Sequence, residues 1–189
     1  MDDRTRRAVL SGIGASTLGL AGCASGGSGG SDGGSSDGGS DSDSGGATDW
    51  WTATLTDVTT GDEFKISELE GPVLAHPFAI WCSTCKSQNE QIDKLQEQAD
   101  YAVVQLNIGD GETGDDVRNY AEENGYAEHS KFVVAPNSVT ESLVDEFGAS
   151  AVSPPQSPVI LLCPDGGTYT IDKVTAAAEL QTTIESNCG

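Results

Sequence analysis

Residues 73–86 read Val-Leu-Ala-His-Pro-Phe-Ala-Ile-Trp-Cys-Ser-Thr-Cys-Lys. The first eight form an apolar run of strand length, marred only by Pro77, which has no N–H to give a sheet. From residue 83 to residue 98 the pattern turns helical, with Ile92 and Leu95 on one face. Cys82 and Cys85 therefore fall where a buried strand gives way to a helix. A thiol at a helix N-terminus meets free backbone N–H groups and the positive end of the dipole. Both favour thiolate, so the first cysteine becomes nucleophilic near neutral pH. Cys82 is expected to sit exposed at that terminus as the attacking group. Cys85, one turn on and more buried, is expected to resolve the mixed disulfide. Trp81 is expected to stand beside the pair as an aromatic wall.

The elements on either side fit a mixed sheet. Residues 52–56 and 62–66 read as a short hairpin turning at Thr60-Gly61. Tyr101–Ile108 is a second buried strand, Thr113–Asn124 a helix stopped by Gly125, Lys131–Ala135 a short strand, and Ser138–Phe147 a helix stopped by Gly148. Val159–Cys163 and Thr168–Ile171 pair about the Pro-Asp-Gly-Gly turn at 164–167. Val174–Ser186 is the last helix. Alternating strands and helices closed by a hairpin predict an α/β fold with helices on both faces of the sheet.

The first 49 residues have a different character. Arg-Thr-Arg-Arg at 4–7, then a weakly apolar Gly/Ala stretch to Ala21, has the layout of a signal peptide and is too short for a membrane span. Arg6 and Arg7 resemble a twin-arginine export signal. Leu20-Ala21-Gly22-Cys23 resembles a lipobox, which implies cleavage before Cys23 and lipidation of its thiol. Residues 24–49 are almost wholly Gly, Ser and Asp and cannot bury apolar area. The expected organisation is a signal at 1–22, a lipidated cysteine and spacer at 23–49, and one folded domain at 50–189. The protein is then tethered to the outer face of the cell membrane.

Thirty acidic residues against nine basic ones argue against nucleic acid as a partner, because phosphate backbones demand clustered Lys and Arg. The acid-rich, lysine-poor surface is similar to that of proteins from extreme halophiles, haloarchaea among them. Five cysteines, at 23, 82, 85, 163 and 188, do not make a dense disulfide framework. Cys163 and Cys188 are nevertheless expected to pair. The strand from Val159 runs away from the active site and ends at Cys163. The hairpin returns, and the last helix then advances about 20 Å back to the distal end, where Cys188 arrives. An exported protein meets an oxidising compartment, so such a bond persists.

From Thr52 onward the chain resembles the thioredoxin-like superfamily, especially its membrane-anchored, TlpA-like oxidoreductases. Glu70-Gly71-Pro72-Val73-Leu74 leading into Phe78-Ala79-Ile80-Trp81-Cys82 carries the likeness, with the segments 117–125 and 139–148 as its middle elements. The resemblance implies a cis-proline opposite the cysteine pair. Pro158, followed by Val159-Ile160-Leu161-Leu162 and Pro164-Asp165-Gly166, is the candidate, with Pro154 and Pro155 as competitors. It also implies exchange with protein thiols or disulfides outside the cytoplasm, a membrane or soluble redox partner, and a reducing direction. Two departures stand out. Ser83 and Thr84 lie between the cysteines where a proline is common, and His76 replaces the usual buried acid. At that position the family helps take a proton from the resolving thiol, so His76 is expected as a buried neutral imidazole near Cys85, or else as a core histidine bonded to a backbone carbonyl.

No cofactor and no metal is expected. A structural zinc site needs four ligands, and Cys163, Cys188, His76 and His129 offer no second close pair. The rivals are a copper-carrying module, with Cys82, Cys85 and His76 as Cu(I) ligands, and a non-catalytic binding lipoprotein. A peroxidase reading lacks its Pro-x-x-x-Thr-x-x-Cys frame.

Overall fold

The computed structural model of the chain describes residues 49–189. The expectations that fall on residues 1–48, namely the signal, the lipidated Cys23 and nearly all of the spacer, lie outside the described residues.

A small two-stranded sheet comes first, with β1 (Leu55–Thr56) against β2 (Glu63–Phe64). The main sheet has five strands in the order β5-β4-β3-β6-β7. They are β3 (Val73–Phe78), β4 (Ala102–Asn107), β5 (Lys131–Val134), β6 (Val159–Leu162) and β7 (Thr168–Ile171). β3, β4 and β5 run parallel, whereas β6 is antiparallel to β3 and β7 to β6. Four helices are described: α1 (Ser83–Gln96), α2 (Gly114–Glu123), α3 (Asn137–Phe147) and α4 (Ala177–Cys188).

Side chains alternate across β3, and that alternation builds two cores. Val73 and Ala75 face one side with Val104, Leu106, Ile160, Val139 and Leu143, so α3 packs there and Trp50 is buried with it. Leu74 faces the other side with Val103, Leu161, Ile92, Leu95, Leu180 and Ile184, which seats α1 and α4. Phe78 continues that second face into an aromatic cluster. Its ring lies 5.6 Å from Tyr120 of α2 and 5.8 Å from Phe132 of β5.

Pro77 is tolerated inside a central strand for a local reason. A strand residue points its N–H and C=O to the same side, and the Pro77 carbonyl faces Ser157 and Lys173. The β3–β6 ladder stops at Ala75–Ile160. The missing N–H therefore lies beyond the end of β6 and breaks no ladder bond.

Two sequence expectations need correction. Every peptide bond among the described residues is trans, so Pro158 is a trans proline. The preceding segment instead closes into its own turn, with the amides of Gln156 and Ser157 both bonded to the Ser153 carbonyl. The last helix begins at residue 177, not 174. Val174 has φ +66°, and Thr175 Oγ1 donates to the Asp172 carbonyl at 2.6 Å, so residues 172–175 form a turn before the helix.

Candidate active site

Cys82 is the N-cap of α1, in extended backbone conformation. Its Sγ accepts the Cys85 N–H at 3.1 Å, and its carbonyl accepts the Lys86 N–H at 3.0 Å. This is the geometry in which backbone donors and the helix dipole stabilise a sulfur anion. The two cysteines are bonded, with Cα atoms 5.2 Å apart. Cys82 is not open to solvent in this disulfide form. It is only 3 % exposed and Cys85 is fully buried, because both pack into the cluster of Phe78, Tyr120 and Phe132. Trp81 takes the outer position and is 63 % exposed.

The loop that presents the cysteines is held by a residue the sequence did not single out. Glu112, on the β4–α2 loop, receives the Ile80 N–H on both carboxylate oxygens, at 3.0 and 3.1 Å, and the Asn107 side chain bonds the same carboxylate. Gly109 makes room for it, since a Cβ there would fall 2.0 Å from Glu112 Oε2. A glutamate in a Gly-Asp-Gly-Glu loop looks like a solvated turn, and nothing local marks it as a support.

His76 lies at the centre of a buried polar group. Its Nδ1 is 2.7 Å from Asn89 Oδ1 and 2.9 Å from Gln105 Oε1. Both neighbours are acceptors, so Nδ1 carries the proton and shares it. Asn89 passes its own N–H to the Tyr120 hydroxyl at 3.2 Å. Nε2 is then a bare lone pair, buried and without a partner. Burial lowers the His76 pKa to about 3, aided by the charge of Lys173 and opposed by the bonds to Gln105 and Asn89. His76 is thus neutral, with two side-chain amides as partners and not a backbone carbonyl.

Pro158 is half-buried at the head of β6, and the contact to the cysteines comes from Pro154. The Pro154 carbonyl oxygen lies 3.2 Å from Cys85 Sγ. In the disulfide that sulfur has no hydrogen. On reduction the thiol can donate along the same line. Ser157 Oγ sits beneath, 2.8 Å from the Pro77 carbonyl and 3.1 Å from that of Pro154.

Lys173 reaches the same spot from the far end of β7. Its Nζ bonds Ser157 Oγ at 2.8 Å, the Pro77 carbonyl at 3.3 Å and the Pro154 carbonyl. Burial lowers its pKa to about 8. The turn that carries it is clamped to α1 by Gln88, whose Oε1 accepts the Thr175 N–H at 2.9 Å.

At the opposite pole, Cys163 at the end of β6 is bonded to Cys188 of α4, with Cα atoms 5.2 Å apart. Cys163 is buried and Cys188 packs beside it. Among the described residues no group of three or more His, Cys, Asp or Glu is placed to hold a metal ion, and no helix is long and apolar enough to cross a membrane.

No family model matches the sequence, and no curated protein does. Solved structures do share the architecture. The pneumococcal exposed lipoprotein thioredoxin from Streptococcus pneumoniae is 18 % identical, with TM-score 0.56 over 71 % of this chain and 98 % of its own. A SCO1/SenC family lipoprotein from Bacillus anthracis is 15 % identical, with TM-score 0.56 over 74 % of this chain and 95 % of its own. A secreted disulfide oxidoreductase from Mycobacterium tuberculosis is 13 % identical, with TM-score 0.56 over 72 % of this chain and 97 % of its own. With a five-stranded mixed sheet, four described helices and a cysteine pair capping the helix after β3, the chain has the thioredoxin-like fold that these proteins share.

Proposed function

We propose that this protein is an extracytoplasmic thiol–disulfide oxidoreductase that exchanges the Cys82–Cys85 disulfide with protein thiols, in the reducing direction. The observation that carries the reading is the N-cap position of Cys82, whose sulfur accepts a helix N–H while Cys85 is sealed behind it. Cys82 Sγ attacks a substrate disulfide, forming one Cys82–substrate bond and releasing the other sulfur as thiolate. Cys85 then displaces the bound sulfur and closes the Cys82–Cys85 bond. Two electrons pass from the dithiol to the substrate. A role for His76 in proton handling at the buried thiol is also part of this proposal, carried by its unpartnered Nε2, which with a pKa of about 3 would relay a proton and not keep it at neutral pH. His76→Ala with unchanged exchange kinetics between pH 6 and 9 would refute it.

In this proposal residues 1–22 are an export signal, Cys23 carries the lipid, residues 24–49 are the spacer and residues 50–189 the catalytic domain. The secreted and lipoprotein relatives in fold support that placement. The test is insulin reduction by the dithiol form, together with a redox titration of the Cys82–Cys85 pair. A protein that cannot reduce insulin, and whose pair titrates in the range of strong oxidants, would refute the direction. Failure to exchange with any protein disulfide would refute the activity.

A Cu(I)-binding role is favoured by the two sulfurs and the bare His76 nitrogen. It ranks second because the described residues do not gather three ligands around one point. Competition between the reduced domain and a Cu(I) chelator separates the two.

A further inference from the structure

Among the described residues, Lys173 is the one cation built into the active-site interior. The other groups that titrate there are Cys82 at the N-cap of α1, Cys85 on α1, His76 on β3 and Tyr120 on α2. The 153–158 segment contributes Ser, Pro and Gln only. Tyr120 of α2 packs in the same cluster as the two cysteines, with its hydroxyl accepting the Asn89 N–H, and the Glu112 carboxylate is taken up by the Ile80 N–H and the Asn107 side chain. Among the described residues no carboxylate pairs with Lys173. Its three ammonium hydrogens are matched instead by three neutral oxygens, those of Pro77, Pro154 and Ser157. Holding a partly buried cation against neutral acceptors is costly, and a plain structural contact does not require a charge.

The Pro154 carbonyl explains the arrangement. It contacts Cys85 Sγ on one side and Lys173 Nζ on the other, so a single oxygen separates the sulfur from the ammonium. The sum of two hydrogen bonds puts them roughly 6 Å apart at most. We propose that Lys173 is a positioning residue that supplies the positive charge stabilising the Cys85 thiolate during the resolving step. The inference rests on the exchange activity proposed above.

The step balances without any further reactant. In the mixed disulfide the Cys85 thiol gives up its proton, and its sulfur attacks Cys82 Sγ. The Cys82–substrate bond breaks as the Cys82–Cys85 bond forms. The electron pair leaves on the substrate sulfur, which takes up one proton. Lys173 is unchanged at the end. Its ammonium offsets the negative charge while that charge sits on Cys85, in a pocket where water cannot. The depressed Lys173 pKa is consistent with a cation waiting in a dry site for an anion.

The experiment uses the Cys82→Ser protein, in which Cys85 is the one free thiol of the described domain. Its thiolate absorbance is titrated alone and combined with Lys173→Gln or Lys173→Arg. Glutamine keeps donors for the two carbonyls and loses the charge, whereas arginine keeps the charge. An opposite charge at this range moves a pKa by about 1–3 units. Lys173→Gln is expected to raise the Cys85 pKa by at least one unit, and Lys173→Arg to leave it near the parent value. In the protein that keeps both Cys82 and Cys85, the pH profile of ring closure after reaction with a small-molecule disulfide should move by the same amount. A Cys85 pKa unchanged in a folded Lys173→Gln protein overturns the proposal, and so does a pKa that rises as much with arginine as with glutamine. The thiol titration needs no substrate. A wild-type protein inert toward protein disulfides would therefore refute the proposed function and leave the role of Lys173 to be judged on its own.

Discussion

Replacing both Cys163 and Cys188 with alanine tests how much the distal disulfide contributes. The bond spans a sequence separation of 25. The chain-entropy relation gives roughly 12 cal/mol/K for a loop of that length, or about 3.5 kcal/mol at 25 °C. Cys163 is 3 % exposed within the cluster of Leu74, Leu161 and Leu180, so losing its sulfur leaves a small void worth up to ~1 kcal/mol. The expected loss is about 3.5–4.5 kcal/mol, or a fall of roughly 10–15 °C in Tm for a domain of this size. Urea unfolding at one fixed salt concentration measures it. Salt must be held constant because thirty acidic residues against nine basic ones repel one another more as screening falls. Hydrogen exchange should speed up first in the last turn of α4, where Ile184 is the final deeply buried side chain. A loss below about 1 kcal/mol with an unchanged m-value would mean that α4 docks through its apolar face alone. The reasoning from loop closure would then be wrong for this molecule.

Cys85→Ser should accumulate mixed disulfides with protein partners and Cys82→Ser should not, as read on non-reducing gels; the reverse pattern would exchange the two roles. The folded His76 pKa lies near 3, below its ordinary 6.5, so the unfolded chain binds the extra proton first as the pH falls. Stability should hold above pH 6.5 and decline toward pH 3, by at most ~5 kcal/mol from this residue, and His76→Gln should flatten the decline in urea titrations at pH 7.5 and 5. Val174 is β-branched, at φ +66° and half exposed, so Val174→Gly should be about 1 kcal/mol more stable than Val174→Ala, which loses similar contacts and keeps the strain; equal melting temperatures would count against strain at this turn. Cys23→Ser should release the protein from membranes into the medium, and a variant that stays bound would remove the case for a lipid anchor.

The sheet could be read from the chain because its strands are apolar runs and its turns are marked by glycine and proline. The run from Val73, the switch of period at Ser83, and the stops at Gly125 and Gly148 are all local signals. The position of His76 could be read for the same reason, by counting back along one strand from Cys82. Its partners could not. Asn89 and Gln105 come from a helix and a neighbouring strand, and polar residues in such places look like surface until the register is known. Lys173 is the extreme case. In Asp-Lys-Val-Thr it reads as the solvated start of a helix, and only the antiparallel return of β7 carries it to Cys85. Val174 misled for a physical reason, since a β-branched residue is among the last expected at positive φ. There the clamp from Gln88 to Thr175 overrides local preference. The bent segment before Pro158 shows the same limit: Pro-Pro announces a turn, but not which carbonyl the turn will aim at the sulfur.

Pro77 gives the sheet a socket. An ordinary central strand offers its donors and acceptors in matched sets to the neighbouring strand, and nothing else can plug in. With its donor deleted just past the end of β6, residue 77 presents an acceptor with no backbone mate, and side chains from two separate loops occupy the opening. The scaffold and the reactive interior are thereby uncoupled. What enters the socket can change from a lysine to another group by one substitution in a loop, with no ladder bond disturbed. A donor restored by Pro77→Ala would compete for the same space. The strand accepts a proline there for the same reason that it can host this chemistry: the ladder to β6 has already ended.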